Sequence, residues 1–305
     1  MSSSFLQEST RVILLLDLDC FYAQCEQVRL GLDPSTPLCL LQWNSALAVN
    51  YKARDMGLKR GASFEQIQEQ SEGKCICLHL PVVSTADLEK NLYDIDNNEV
   101  DKSNTSVNTA YEKEFNLPKD IKEKLYLEER NKMRHSGEGK ASLDRYRLAS
   151  ARIFEVILEA LETCVGKGNF VLEKASIDEL FLDVSSHCQN SKSSLWKEDC
   201  DCIEEMSSKE TIICAKDKIH LDDDENDCKA LRRGCIIARG IRKAVFDRLG
   251  FTLSAGVGTS KLVSKLGASY GKPDGQAVVF PSATSHVRSE LRTLISLYSG
   301  IFHVF

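Results

Sequence analysis

The sequence predicts a mixed α+β fold in which short apolar strands are interspersed with long amphipathic helices. Three observations carry that expectation. Apolar runs of strand length recur, as at Val12–Leu16, Leu38–Gln42 and Ala277–Phe280. Two longer stretches, Leu143–Leu161 and Gly234–Leu249, repeat their apolar residues at helical spacing instead. The resulting order is strand, compact unit, helix, hairpin, helix, strand, helix, strand.

The first strand and the beginning of the helix after it, Arg11 to Tyr22, organise the chain. The apolar run Val12–Leu16 ends in Asp17 and Asp19, which alternation places on one side of the extended backbone. Taking ionised carboxylates out of water costs several kcal/mol unless a cation pairs with them. The next segment, Cys20 to Val28, spaces Phe21, Cys25 and Val28 along one helical face. A strand ending in acids and feeding a helix N-terminus suits a cation beside a phosphate: carboxylates for the metal, backbone N–H groups for the anion. For the isolated acid pair, solvated caps on a core strand are the plainer alternative.

Next comes the compact unit. Leu38–Gln42 and Ala46–Val49 read as strands, and Tyr51–Met56 as a short helix stopped by a left-handed Gly57. Tyr51 and Arg54 share a helical face, with Lys59, Arg60 and Gly61 in the loop beyond. Arginine offers planar paired donors to phosphate, though a solvated basic face accounts equally well for this cluster alone. Leu143–Leu161 is the first long helix. Phe170–Leu172 and Leu180–Val184 then form a hairpin around KASIDE, with Asp178 and Glu179 at its tip. Neighbouring strand residues point to opposite faces, so both acids address one ion only if the backbone turns there. An ordinary acidic turn is the alternative. After the helix Gly234–Leu249 and a strand at Phe251–Gly256, Thr259 or Ser260 caps a helix to Tyr270, stopped by Gly271 with Pro273 beyond. Lys261, Lys265 and Lys272 then face the same way.

Composition narrows the class. The chain has 305 residues, 42% of them apolar and 28% charged, as expected of a soluble globular protein. No apolar run approaches the ~20 residues that span a bilayer, and the N-terminal MSSSFLQEST has no basic region, so no signal peptide is expected. The 12 cysteines are scattered, with only the CxC pairs Cys75/Cys77 and Cys200/Cys202, and read as reduced apolar side chains. The net charge of −6 is unevenly spread. Two polar segments, Ser84–Gly137 and Gln189–Lys229, carry −9 between them and leave +3 for the rest. They read as surface insertions, partly disordered, with a helix at Pro118–Met133.

Five motifs together are more specific than any one. They are DLDCFYAQCEQ (Asp17–Gln27), AVNYKARDMGLKR (Ala48–Arg60), GKASLDRYR (Gly139–Arg147), ASIDELFLD (Ala175–Asp183) and SAGVGTSKLVSKLGASYGKPDGQ (Ser254–Gln276). In this order they resemble the Y-family translesion DNA polymerases, and within them the eta branch. The resemblance covers nearly all of the chain outside the two polar segments. It implies a ferredoxin-like palm, an antiparallel sheet flanked by helices in an α/β two-layer arrangement, at residues 1–22 and 84–282. A small fingers domain is implied at 23–83 and a short C-terminal segment at 283–305, with the polar insertions at 84–137 and 189–229.

The same resemblance implies roles residue by residue. Asp17 and Asp178 bridge two Mg²⁺ ions, or Mn²⁺ as a substitute, with Glu179 and the Leu18 carbonyl completing the ligand set. Tyr51, Arg54 and Lys272 match triphosphate-binding residues, joined by the backbone N–H groups of Cys20, Phe21 and Tyr22. The Tyr22 ring matches the gate against a ribose 2′-OH. Gln42 matches a contact to the template base, and Arg60 an arginine over the incoming nucleotide. Asp19 is not among the implied ligands. Primer–template DNA and dNTP are the implied partners, without a membrane, in the nucleus. A sliding clamp and ubiquitin are partners of the family, but their motifs do not occur in this sequence. Neither do the signals for a thumb and little finger, so palm and fingers alone are expected. Ser260, Ser264 and Gly267 depart mildly from the family pattern.

Two readings from other classes remain open. A non-catalytic DNA-binding or regulatory remnant would keep the fold but bind DNA poorly. A haloacid-dehalogenase-type phosphatase would use Asp17 as nucleophile and Asp19 as acid/base, although Phe21 breaks its usual continuation.

Overall fold

A computed structural model describes residues 10–83, 107–132, 140–189, 211–214 and 225–281. The chain divides into two compact units, one formed by Met1–Asp19 with Val156–Phe305 and the other by Cys20–Glu155.

The first unit is built on a six-stranded sheet in the order β7-β8-β1-β10-β11-β9. Its strands are β1 (Ile13–Leu18), β7 (Val171–Lys174), β8 (Glu179–Asp183), β9 (Thr211–Cys214), β10 (Leu253–Gly258) and β11 (Gln276–Val279). The β7, β8, β1 and β10 strands pair antiparallel, while β10, β11 and β9 run parallel. The entirely buried ILLLDL of β1 lies between β8 and β10. Two helices flank the sheet, α8 (Glu225–Leu249) and α9 (Lys261–Gly271). A Cβ on Gly234 of α8 would stand 2.9 Å from a Val257 methyl, and one on Gly256 would stand 1.8 Å from the Ser264 carbonyl oxygen of α9. Gly256 and Val257 are neighbours on β10 and point to opposite faces, so the two helices cover opposite faces. Only glycine at position 256 lets α9 lie this close. Ser264 uses the closeness, its Oγ donating to the Ile13 carbonyl at 2.7 Å.

The second unit carries a three-stranded sheet, β3-β2-β4, from β2 (Leu38–Gln42), β3 (Ser45–Val49) and β4 (Ile76–His79). A small pair joins β5 (Val82–Val83) to β6 (Lys140–Ala141). Around the sheet lie α1 (Phe21–Leu30), α2 (Tyr51–Asp55), α3 (Phe64–Gln70), α4 (Val107–Phe115) and α5 (Lys119–Lys132). The unit boundary falls inside α6 (Asp144–Cys164); α7 (Ser185–Gln189) is a short turn of helix in the first unit. The expected fingers residues, 23–83, lie within the second unit.

The polar segments hold more structure than their composition suggests. Val107–Phe115 is helical because Tyr111 and Phe115, four apart, stack at 4.5 Å and are both fully buried. The α5 helix matches the expected helix at 118–133, and Lys122 Nζ donates to the Val28 carbonyl at 3.0 Å. Thr211–Cys214 adds an edge strand to the six-stranded sheet, and α8 begins at Glu225, well before Gly234. Residues 283–305 and the remainder of both polar segments lie outside the described residues.

Candidate active site

Asp17, next to last in β1, is almost buried, and its partner across to β8 is Glu179. Asp178 precedes Glu179 in the turn joining β7 to β8, where its carbonyl accepts the Leu18 N–H at 2.9 Å. The first strand and the hairpin therefore bring Asp17, Leu18, Asp178 and Glu179 to one end of two paired strands. The turn that adjacent acids require is made by Ser176. Its Oγ accepts from the N–H groups of Asp178 (3.2 Å) and Glu179 (3.0 Å) and donates to Asp178 Oδ1 at 2.5 Å. A serine two residues before an aspartate is the sequence signal for such a turn, and sequence reasoning passed over it.

The lysines of α9 and the loop after it meet these acids. Lys272 Nζ lies 2.6 Å from Asp17 Oδ1. Lys265 Nζ reaches both oxygens of Glu179, at 2.9 and 3.1 Å. One turn earlier, Lys261 pairs with Glu173 and sits 5.3 Å from the Phe181 ring centroid. Asp17 nonetheless has its pKa raised to about 6. Burial is the main cause; Lys272 opposes it, while the negative charges of Glu179 and Asp178 add to it.

Asp19 has a different job. Its carboxylate accepts from Ser254 Oγ at 2.7 Å and from the Asp274 N–H at 2.8 Å, and the residue is 3% exposed. Arg242 grips the same loop, donating to the Leu253 carbonyl and to the carbonyl and Oδ1 of Asp274. Asp19, Ser254 and Arg242 thus fix the segment that carries Lys272 to Asp17. Burial raises the Asp19 pKa and these hydrogen bonds oppose it. An acid so enclosed is unsuited to the acid/base role a phosphatase would need.

Three carboxylates brought to one end of paired strands, two of them adding their negative charge beside the third, fit a hard divalent cation, which prefers oxygen ligands. Among the described residues no three His, Cys, Asp or Glu side chains are already gathered about one point. Ammonium groups stand on Asp17 and Glu179 instead. Asp17, Asp178 and Glu179 are the side chains that would hold such an ion.

In the second unit, α1 starts from Cys20 in a left-handed conformation (φ 47°) whose side chain makes no capping bond. The first N–H groups of the helix, at Phe21 and Tyr22, therefore have no side-chain cap from that residue, the condition that favours an anion. The Tyr22 ring meets Tyr146 edge-on at 4.9 Å, and Tyr146 Oη donates to Glu26 at 2.8 Å. Tyr51 opens α2, with the Arg54 guanidinium 4.7 Å from its ring centroid and Arg54 Nε on the Val49 carbonyl. Arg60 is exposed beside Gly61, whose backbone (φ 86°) pairs with Ala46. Gln42 closes β2, half-buried, opposite Ser45.

Comparison with known proteins bears on this arrangement. The impB/mucB/samB family profile matches residues 16–269. DNA polymerase eta of Saccharomyces cerevisiae is 25% identical over 91% of the chain and 43% of its own length. A Schizosaccharomyces pombe protein named N-acetyltransferase eso1 is 27% identical over 96% of the chain and 30% of its own length. The chain thus spans less than half the length of these curated relatives. Among solved structures, a Dbh ternary complex superposes with a TM-score of 0.50 at 17% identity, covering 89% of this chain and 48% of that one, which supports the fold.

Proposed function

The chain belongs to the impB/mucB/samB family, that of the Y-family translesion DNA polymerases, and on that premise we propose that it adds deoxynucleotides to a primer 3′-OH opposite damaged template. The observation that carries the proposal is the convergence of Asp17 with Asp178 and Glu179 at one end of β1 and β8, with Lys272 on Asp17. Family membership implies dependence on a divalent metal; the finer reading is two Mg²⁺ ions. Bound there, such ions would neutralise triphosphate, activate the primer hydroxyl and stabilise the leaving pyrophosphate. Asp17, Asp178, Glu179 and the Leu18 carbonyl would hold them.

The remaining residues act by position and charge. Lys272, paired with Asp17 in this structure, would bind a phosphate oxygen. Tyr51 and Arg54 bind triphosphate from α2, and the N–H groups of Cys20, Phe21 and Tyr22 do so from the start of α1. The Tyr22 ring, backed by Tyr146, excludes a 2′-OH. Gln42 contacts the template base and Arg60 covers the incoming nucleotide. In domain terms, residues 1–22 and 84–282 are assigned to the palm and 23–83 to the fingers, acting in the nucleus on primer–template DNA and dNTP. The scaffold's small positive charge limits phosphate contacts, so DNA binding is expected to be strongest at low salt.

Primer extension by the 305-residue chain with Mg²⁺, on undamaged and dimer-containing templates at low salt, tests the proposal. Extension is expected, and Asp178→Ala should abolish it at an unchanged melting temperature. Extension that survives this change would overturn the metal assignment. A DNA complex that never extends a primer would favour the regulatory reading. Tyr22→Ala should raise ribonucleotide incorporation; unchanged discrimination would reduce Tyr22 to a packing aromatic.

A further inference from the structure

Among the charged residues around the acids, Lys265 has no part in the proposed chemistry, yet it makes the closest two-point contact with one of them. Its ammonium spans both Glu179 oxygens. The helix that presents it is fixed on the sheet by the Gly256 approach and by the Ser264 bonds to the Ile13 and Ser260 carbonyls. We infer that Lys265 is a built-in competitor for the divalent cation, occupying Glu179 in the metal-free protein and yielding it when the ion arrives. The inference rests on the reading that Asp17, Asp178 and Glu179 hold the ion.

The physical case has three parts. First, acids gathered at one end of β1 and β8 need a counter-charge while no metal is bound, and Lys265 on Glu179 and Lys272 on Asp17 supply it. Second, the Lys265 side chain is 54% exposed, so its pair with Glu179 is of the weak, solvent-screened kind that a divalent ion displaces. Third, the ammonium and a metal need the same carboxylate oxygens, so one must leave for the other to bind. A pair of this strength should weaken cation binding by about two- to five-fold. Lys261 provides the contrast. It lies one turn away on the same helix, but its partner Glu173 is not among the proposed ligands.

The test is Mn²⁺ binding to the full chain, monitored by electron paramagnetic resonance without DNA or nucleotide. Lys265→Gln should bind Mn²⁺ about two- to five-fold more tightly, with Lys265→Arg and Lys261→Gln remaining near the unmodified protein. The metal-free Lys265→Gln protein should also melt lower and gain more from Mn²⁺, a pattern that simple loss of a surface pair would not give. Unchanged or weaker binding by Lys265→Gln overturns the inference. So does equal tightening by Lys261→Gln, which would mark a general field effect. Asp178→Asn separates the two levels. If it abolishes binding while Lys265→Gln has no effect, the inference alone fails; if it leaves binding unchanged, the metal reading falls and takes the inference with it.

Discussion

Asp17, at the end of β1 in one unit, and Glu26, midway along α1 in the other, are both almost fully buried, at 8% and 1% exposure. Burial alone would raise both pKa values. For Asp17 it prevails, since one lysine faces it and two further acids lie near. For Glu26 it is outweighed. The charges of Arg29 and Arg145, with hydrogen bonds from Arg29 and Tyr146, hold its pKa below the ordinary carboxylate range. Glu26 accepts from Arg29 at 2.7 and 2.9 Å, from Arg145 at 3.0 Å and from Tyr146 at 2.8 Å. A buried acid with a complete set of donors is structural, whereas one left short of positive charge is prepared for a cation from outside.

The sharpest way to break this contrast is Glu26→Gln. It leaves Arg29, with a side chain 3% exposed, beside the more distant Glu129 as its remaining acidic partner among the described residues. Removing one partner of a buried pair costs about 3–5 kcal/mol. Urea denaturation should show a loss of that order. A loss below about 1 kcal/mol, the range of exposed pairs, would mean that water reaches the network and that burial does not separate the two acids.

The contrast was only half legible in the sequence. Asp17 with Asp19, and Asp178 with Glu179, stood out as acids beside apolar strand runs, but only the family resemblance joined Asp17, Asp178 and Glu179 into one set and left Asp19 aside. Glu26 did not stand out, because QCEQ inside an amphipathic helix resembles any solvated face. Its partners Arg145 and Tyr146 come from α6, far along the chain. Strand β2 was read residue for residue, since LCLLQ is an uninterrupted apolar run before a turn. Strand β9 was missed because TIIC sits among acids and owes its place to parallel pairing with β11. The start of α8 was missed for a similar reason: ENDCK is polar, and the helix continues from the apolar part behind it. Ser176 and Arg242 act on backbone groups of turns, and such contacts leave no periodicity to read.

Arg145→Met is a gentler test of the same network. It removes a guanidinium that bonds Glu26 at 3.0 Å and Glu114 at 2.7 Å but leaves Arg29 on Glu26. A charge-assisted hydrogen bond contributes about 1.5–3 kcal/mol, so a loss of about 2 kcal/mol is expected. The pKa of Glu26 should rise with it. A depressed folded-state pKa gives stability that is present above the unfolded value and lost as pH falls through the folded one. The acid limb of unfolding should therefore move to higher pH in the variant. An acid limb that stays in place would show that Arg29 alone holds Glu26 ionised.

The smallest expected change has the opposite sign. The folded-state pKa of Asp17 is raised to about 6, above the unfolded value of about 3.9. Its contribution to stability is therefore fully present below pH ~4 and is lost as pH rises through about 6. At neutral pH the metal-free protein carries this acid as a burden that Lys272 only partly relieves. Asp17→Asn removes the charge and keeps the shape, so with chelator present it should raise stability at pH 7 by about 1 kcal/mol, less than the roughly two-unit shift alone would give because Lys272 loses its charged partner. The gain should shrink towards pH 4, where the parent carboxyl is already protonated, and the stability curve between pH 4 and 7 should flatten. Melting temperatures across that range measure both effects. A variant that is less stable at pH 7 would show that the Lys272 pair outweighs burial, making Asp17 a satisfied acid like Glu26 and removing the distinction between the two regions.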